Sequence, residues 1–244
     1  MIEKVLSFFD FPKSTIATKK LKTYFLEQLD LKANDKKLIK NFTSSITLHN
    51  ILNQNKINIS KYEDDGQKYV EIYLMSVELT DKSKLKQISN IIQTIPKPLI
   101  LVFVFENEIS INITPKRINK NDSTKLVYEE TNFCDWINIS NPSTLQEEFL
   151  KSLAIANQSF INFYTFYNSY LDKIITLNAS KYSGTLKVYK NASEILAQIT
   201  QTEQKINELK NKIKKETTLS DKVNMNIELK NLNDKLKNLK EDLK

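Results

Sequence analysis

The sequence predicts an α+β protein: an N-terminal mixed-sheet domain with a crossover helix, then a helical region ending in a coiled coil or a helical hairpin. Three observations predict it. Residues 69–79 and 99–105 are apolar on both faces, as strands at the centre of a sheet are. Between them Leu85, Ile88, Ile91 and Ile92 recur at helical spacing and Pro96 and Pro98 end the run, so strand–helix–strand reads as a parallel crossover that gives the core an α/β character. From residue 191 onward apolar residues fall mostly at steps of three and four, and no Gly or Pro follows Gly184.

The elements follow in order. Residues 1–56 read as mostly helical, with Leu21, Phe25 and Leu29, then Leu38, Ile39, Phe42 and Ile46 at helical spacing, and Asn34 or Asp35 in position to cap the second helix. Residues 47–55 are polar and loop-like, and Ile57 and Ile59 suggest a short strand. The acidic run Glu63-Asp64-Asp65-Gly66 is a turn with Gly at its bend. After the crossover, residues 108–115 and 124–130 alternate as strands of an antiparallel meander extending the sheet. Asn141-Pro142 opens one long helix, with Thr144 and Glu147 as a capping box. Its aromatic residues Phe160, Phe163, Tyr164, Phe166, Tyr167 and Tyr170 could stack nucleobases, but helix core is the favoured reading. Residues 182–188 connect to the final segment. The expected divisions are 1–140, 141–190 and 191–244.

The final segment carries Ile195, Ile199, Ile206, Leu209 and Ile213, then Met225, Leu229, Leu232, Leu236, Leu239 and Leu243. Such a stripe wants a partner: a second copy, another protein or its own other half. Ile206, Leu209, Ile213, Leu229, Leu232, Leu236 and Leu239 are therefore the expected partner-binding residues. Residues 216–224 interrupt the stripe with polar side chains. They form either a hairpin bend, with Ser220 capping the second helix, or a polar stretch inside one long helix; the hairpin, which satisfies its own stripe, is preferred.

Composition narrows the chemistry. Hydrophobic residues make up 40% of the 244, so a folded core is expected. No apolar run approaches the ~20 residues of a membrane-spanning helix, and the first residues lack the pattern of a signal peptide; a cytoplasmic protein without membrane contact is expected. The single cysteine, Cys134, leaves no intrachain disulfide and no cysteine-rich zinc site. The net charge is +7, but only Arg117 among the 36 basic residues is arginine, and the wealth of Lys, Asn and Ile fits AT-rich coding. Sequence-specific reading of DNA usually uses arginine. The charge is uneven: residues 1–60 carry 10 basic and 5 acidic groups, 61–184 carry 13 and 15, and 185–244 carry 13 and 9. Basic ends leave sequence-independent nucleic-acid binding as one alternative.

Catalytic signatures are sparse. His49 is the only histidine, no nucleophile elbow is present, and both glycines are isolated, so neither a Walker loop nor a dinucleotide fingerprint exists. A Mg²⁺-dependent nuclease is the other alternative, because Mg²⁺ needs little more than a few carboxylates and a lysine. Its weak candidates are Glu71 and Glu78 on the first central strand, with the 63–65 turn nearby. Glu71, among apolar neighbours, needs a partner or an exposed strand end. Only this alternative calls for a cofactor.

Several short runs together resemble a known family: Phe11-Pro12 with Lys19-Lys20, Tyr69-Val70-Glu71-Ile72, Ile95-Pro96 before an apolar strand, and Lys215-Glu216 through Val223-Asn224-Met225-Asn226-Ile227-Glu228-Leu229-Lys230. The chain is similar to a bacterial family of unknown function encoded beside DNA methyltransferases and SNF2-type or restriction-type helicases in defence gene clusters. That family has Arg in the last run where this chain has Lys222. The resemblance implies a methyltransferase or helicase partner and supplies no catalytic residue. The resulting expectation is a non-enzymatic accessory subunit of a DNA modification-restriction or phage-defence system, docking partners through its C-terminal helices.

Overall fold

The computed structural model describes every residue except 28 and 188–190, and for 123–125 the backbone alone. The chain divides into two compact units, Met1–Ile174 and Ile175–Lys244.

The first unit is organised by two adjacent strands. β1 (Ile16–Lys20), β2 (Thr43–Asn53), β5 (Glu71–Leu79), β6 (Leu99–Phe105), β7 (Glu108–Ile113) and β10 (Asn132–Phe133) lie in that order across one sheet, and β11 (Ile137–Asn138) also pairs with β7. β5 and β6 are parallel, as a crossover through α5 (Leu85–Ile92) requires, while β2 pairs antiparallel with β5 and β7 with β6. One face packs Met75, Val77 and Leu79 of β5 and Leu99, Leu101 and Phe103 of β6 against Ile88, Ile91 and Ile92 of α5, with Phe25 of α2 (Lys22–Glu27) and Ile39 of α3 (Ala33–Phe42). The alternate residues Ile72, Leu74, Ile100 and Val102 are also fully buried. The sheet is mixed, with antiparallel pairs outnumbering its single parallel one, and the longest helices follow its last strand, so the fold is α+β.

The N-terminal region corrects the expectation of a mostly helical segment. Besides α2, α3 and α1 (Ile2–Ser7), it contains β1 and the long β2. Most of the segment read as a loop belongs to β2, in which Thr43, Ile46, Leu48, Asn50 and Leu52 are the buried positions. Polar Asn50 masks the alternation, because it is buried with its amide donating to Thr15 Oγ1 at 2.8 Å. A register shift between Leu48 and Asn50 then puts His49 out of phase. Lys32, not Asn34 or Asp35, stands at the N-cap of α3. Ile57 ends a short helix, α4 (Gln54–Ile57), instead of starting a strand. The acidic turn is as expected: the Asp64 carboxylate accepts the Gly66 and Gln67 amides at 2.8 and 2.6 Å between β3 (Tyr62–Glu63) and β4 (Lys68–Tyr69).

Two further expectations change. β8 (Lys116–Asn119) and β9 (Asp122–Tyr128) form a separate ribbon and do not extend the sheet. Pro115, at the exit from β7, has no N–H to continue a ladder. The long helix is two helices, α6 (Thr144–Ser152) and α7 (Phe163–Ser183). Its capping box is Ser143 with Gln146, one residue before the expected pair. The break is held by Gln158, whose amide donates to the Ser152 and Ala154 carbonyls at 2.9 and 2.8 Å and so occupies the end of α6. Phe163, Phe166, Tyr167 and Tyr170 are buried, so this part of the aromatic cluster is core. The Tyr167 hydroxyl donates toward the Leu99 and Thr114 carbonyls and accepts the Thr114 amide, tying α7 to β6 and the end of β7.

Lys116 is the unusual core residue, 1% exposed. Its ammonium donates to the carbonyls of Gln93 and Ile95, just past the end of α5, where a cation is favoured by the helix dipole. Burial nevertheless pushes its pKa down to about 7. The unfolded chain therefore holds this proton up to about 10.5 while the folded chain releases it near 7, so stability should rise with pH across that window. Unfolding free energies from urea titrations between about pH 7 and 9.5 should climb for the natural chain relative to Lys116→Met, by on the order of 1 kcal/mol per pH unit. Parallel curves for the two proteins would show that Lys116 stays protonated in the fold.

Candidate functional site

The second unit contains an antiparallel hairpin of α8 (Ala192–Lys215) and α9 (Leu219–Glu241). Glu216 makes the bend: its carboxylate accepts the Thr217 and Thr218 amides, both at 2.8 Å, which holds it below the usual carboxylate range. Thr218, not Ser220, stands at the N-cap of α9, and Ser220 lies inside the first turn. Gly184, with φ of 70°, ends α7 in the left-handed conformation that glycine tolerates. Of the expected connector at 182–188, Val188 lies outside the described residues.

The hairpin buries its own stripe. Ile199, Ile206 and Leu209 of α8 and Leu239 of α9 are buried, as is Leu243 beyond it, while Ile213, Leu229, Leu232 and Leu236 are partly covered. Thr202, the polar member of the series, is buried with its hydroxyl returned to the Gln198 carbonyl at 2.7 Å. At the base of the unit, Ala179 and Ile175 of α7 pack with Ala192, Ile195, Leu196 and Ile199 against Leu236, Leu239 and Leu243. The seven residues expected to meet a partner are thus buried or partly covered within this unit.

A second stripe remains uncovered. Leu219, Val223 and Ile227 are 77%, 51% and 56% exposed. Spaced by four on α9, they form one apolar strip about 12 Å long, at ~1.5 Å per residue. At ~100° per residue, this strip centres about 160° around the helix from the seam defined by Met225, Leu229, Leu232, Leu236 and Leu239. Isolated exposed apolar residues are ordinary; three in register on one outer helix face form a patch. The i, i+4, i+8 spacing was present in the sequence, but Leu219 and Val223 lay within the polar run and Ile227 among the residues of the main stripe.

The two carboxylates offered for metal chemistry are not brought together. Glu71 starts β5 and Glu78 nears its end; seven residues of strand place them about 23 Å apart, on opposite faces. Glu71 is satisfied by an ion pair with Lys97 at 2.6 Å and by the Tyr73 hydroxyl at 3.3 Å, which explains a carboxylate in this otherwise apolar run. It borders a polar hollow with Asn53, Gln54, Asn55 and Lys61, in which it is the one acidic side chain. Glu78 accepts a hydrogen bond from Ser44 at 3.1 Å. No group of three or more His, Cys, Asp or Glu suited to a metal ion occurs among the described residues.

The structure also pairs His49 with Ser76 across β2 and β5, with Nε2 to Oγ at 2.7 Å. Burial lowers the imidazole pKa, and the charge of Glu78 partly opposes it. Histidine, serine and acid are thus near one another, but Ser76 is 2% exposed and lies in mid-strand, opposite Thr47 on one side and Val102 on the other. Its neighbouring amides belong to the sheet, whereas an oxyanion needs donors that point at it. Sequence spacing could not reveal this pair, which arises from strand register.

The structure therefore defines an α+β protein whose outstanding surface feature is a helical hairpin with an uncovered apolar strip. The chain belongs to the family of domains of unknown function DUF4391, whose model matches residues 9–236 and so takes in both the sheet and nearly all of the hairpin. No curated protein and no solved structure matches the chain significantly. No helix among the described residues is long and apolar enough to cross a membrane.

The hairpin seam is testable by itself. Leu209→Ala, at a position 7% exposed, should destabilise the paired helices by about 2 kcal/mol. Hydrogen exchange should then speed up in α8 and α9 and stay unchanged in β5 and β6; unaltered exchange in both helices would mean that the seam is not what holds them.

Proposed function

We propose that this protein is a non-enzymatic accessory subunit of a DNA modification-restriction or phage-defence system, and that it docks a protein partner through the hairpin. The observation that carries this reading is the Leu219–Val223–Ile227 strip. A hairpin that has buried its own seam has no internal use for a second apolar face, and such a face fits the groove of another protein. Exposed Asn226 and Lys230 border it on the same side of the helix, as polar groups do at the rim of a specific interface. The partner is a DNA methyltransferase or helicase, from the resemblance to families encoded beside such enzymes. The family match extends through the hairpin to residue 236, in keeping with a hairpin that belongs to the conserved domain unit. The docking face is thus the outer side of α9, and Ile206, Leu209, Ile213, Leu229, Leu232, Leu236 and Leu239 serve it by holding the hairpin closed.

Leu219→Gln with Val223→Gln and Ile227→Gln keeps good helix formers at all three positions. Affinity for the methyltransferase or helicase encoded beside the protein, measured by calorimetry, should fall by at least about tenfold, about 1.4 kcal/mol, with the circular-dichroism melting curve unchanged. Unaltered affinity would sink the proposal.

A further inference from the structure

At the end of the second unit away from the Glu216 bend, the last turn of α7 and the last turns of α9 enclose an open hollow of about 480 Å³. Its wall is basic and partly apolar: Lys181 and Tyr182 from α7, and Leu236, Lys237, Lys240 and Glu241 from α9, with Lys244 beyond it. Four lysines line this hollow, with Glu241 as the one acidic side chain among the lining residues. Lys240 is held in place: it pairs with Glu203 of α8 at 2.9 Å and lies 5.5 Å from the centre of the Tyr182 ring. Lys237 is exposed and forms no ion pair among the described residues.

A lysine or two at a helix C-terminus is accounted for by the helix dipole. That account does not require lysines from two helices to converge on one concavity, nor one of them to be fixed by a carboxylate and a ring. Converging cations with an aromatic and aliphatic wall, at a volume within the range of small-molecule sites, fit an anion of several charges. We infer that this hollow binds a small ligand carrying two or more phosphates, with Lys237 and Lys240 as its principal phosphate contacts and Tyr182 and Leu236 as the wall for whatever the phosphates are attached to. The site lies at the other end of the hairpin from the apolar strip and stands independently of the docking proposal.

The test is calorimetric titration of the full chain at about 50 mM salt with inorganic tripolyphosphate, with ATP and with a single-stranded oligonucleotide. Tripolyphosphate should bind saturably at one site. Lys237→Gln with Lys240→Gln should weaken it by at least about tenfold, whereas Lys212→Gln with Lys214→Gln, an equal loss of charge near the bend, should change it less than about twofold. Should the first pair disturb folding, Lys237→Gln alone removes an unpaired surface lysine and should still weaken binding with an unchanged melting curve. ATP binding more tightly than tripolyphosphate identifies a nucleotide ligand; equal binding identifies the phosphates alone. Absence of saturable binding, or equal loss in the two lysine pairs, would overturn the inference. So would an oligonucleotide that binds through Lys237 and Lys240 while tripolyphosphate does not.

Discussion

Burial of β5 and β6 on both faces is the constraint from which the first unit follows. A strand apolar on both sides cannot lie at an edge or face water, so each needs a strand on either side and cover above and below. The parallel pairing of the two demands a crossover, and α5 supplies it with Ile88, Ile91 and Ile92 turned onto the sheet. β2 and β7 then complete the interior, and the sheet grows outward to the lysine-bearing β1 at one edge and the short β10 at the other. Three polar groups carried into this interior tie its elements together: Asn50 reaches Thr15, Lys116 closes the end of α5, and Tyr167 bridges β6 and β7.

The same requirement acts differently in the second unit. A narrow leucine and isoleucine stripe can be covered by one helix, and the tight bend at Glu216 brings that helix from the same chain. Zipping the hairpin consumes the residues that a coiled coil would have offered to a partner. What is left over is therefore informative. Leu219, Val223 and Ile227 contribute nothing to the seam and remain in water on the outer side of α9, which is why they, and not the longer stripe, form the proposed docking face.

Much of this was legible in the chain. Continuous apolar runs disclosed β5 and β6, helical spacing between them disclosed the crossover, and the three-four stripe with its polar interruption disclosed the hairpin. What stayed hidden was set by long-range partners. β2 was obscured because polar Asn50 stands at one of its buried positions, and only contact with Thr15 on a neighbouring segment explains it. The break between α6 and α7 depends on a Gln158 side chain folding back onto carbonyls, a choice that local propensity does not specify. Glu71 was recognised as anomalous, but its partner Lys97 arrives from the far end of the crossover. The lysine hollow was equally invisible, since Lys181 and Lys237 are separated by most of the hairpin in sequence and meet only in the folded unit.

The most direct test of the central claim, that the outer face of α9 is the docking surface, is hydrogen-exchange mass spectrometry of the full chain alone and in complex with the methyltransferase or helicase encoded beside it. The account predicts slowed exchange confined mainly to the first three turns of α9, around Leu219, Val223 and Ile227, with the seam at Leu239 little changed. Protection confined to the sheet unit, or exchange in α8 that rises because the hairpin has opened to offer its seam, would contradict it.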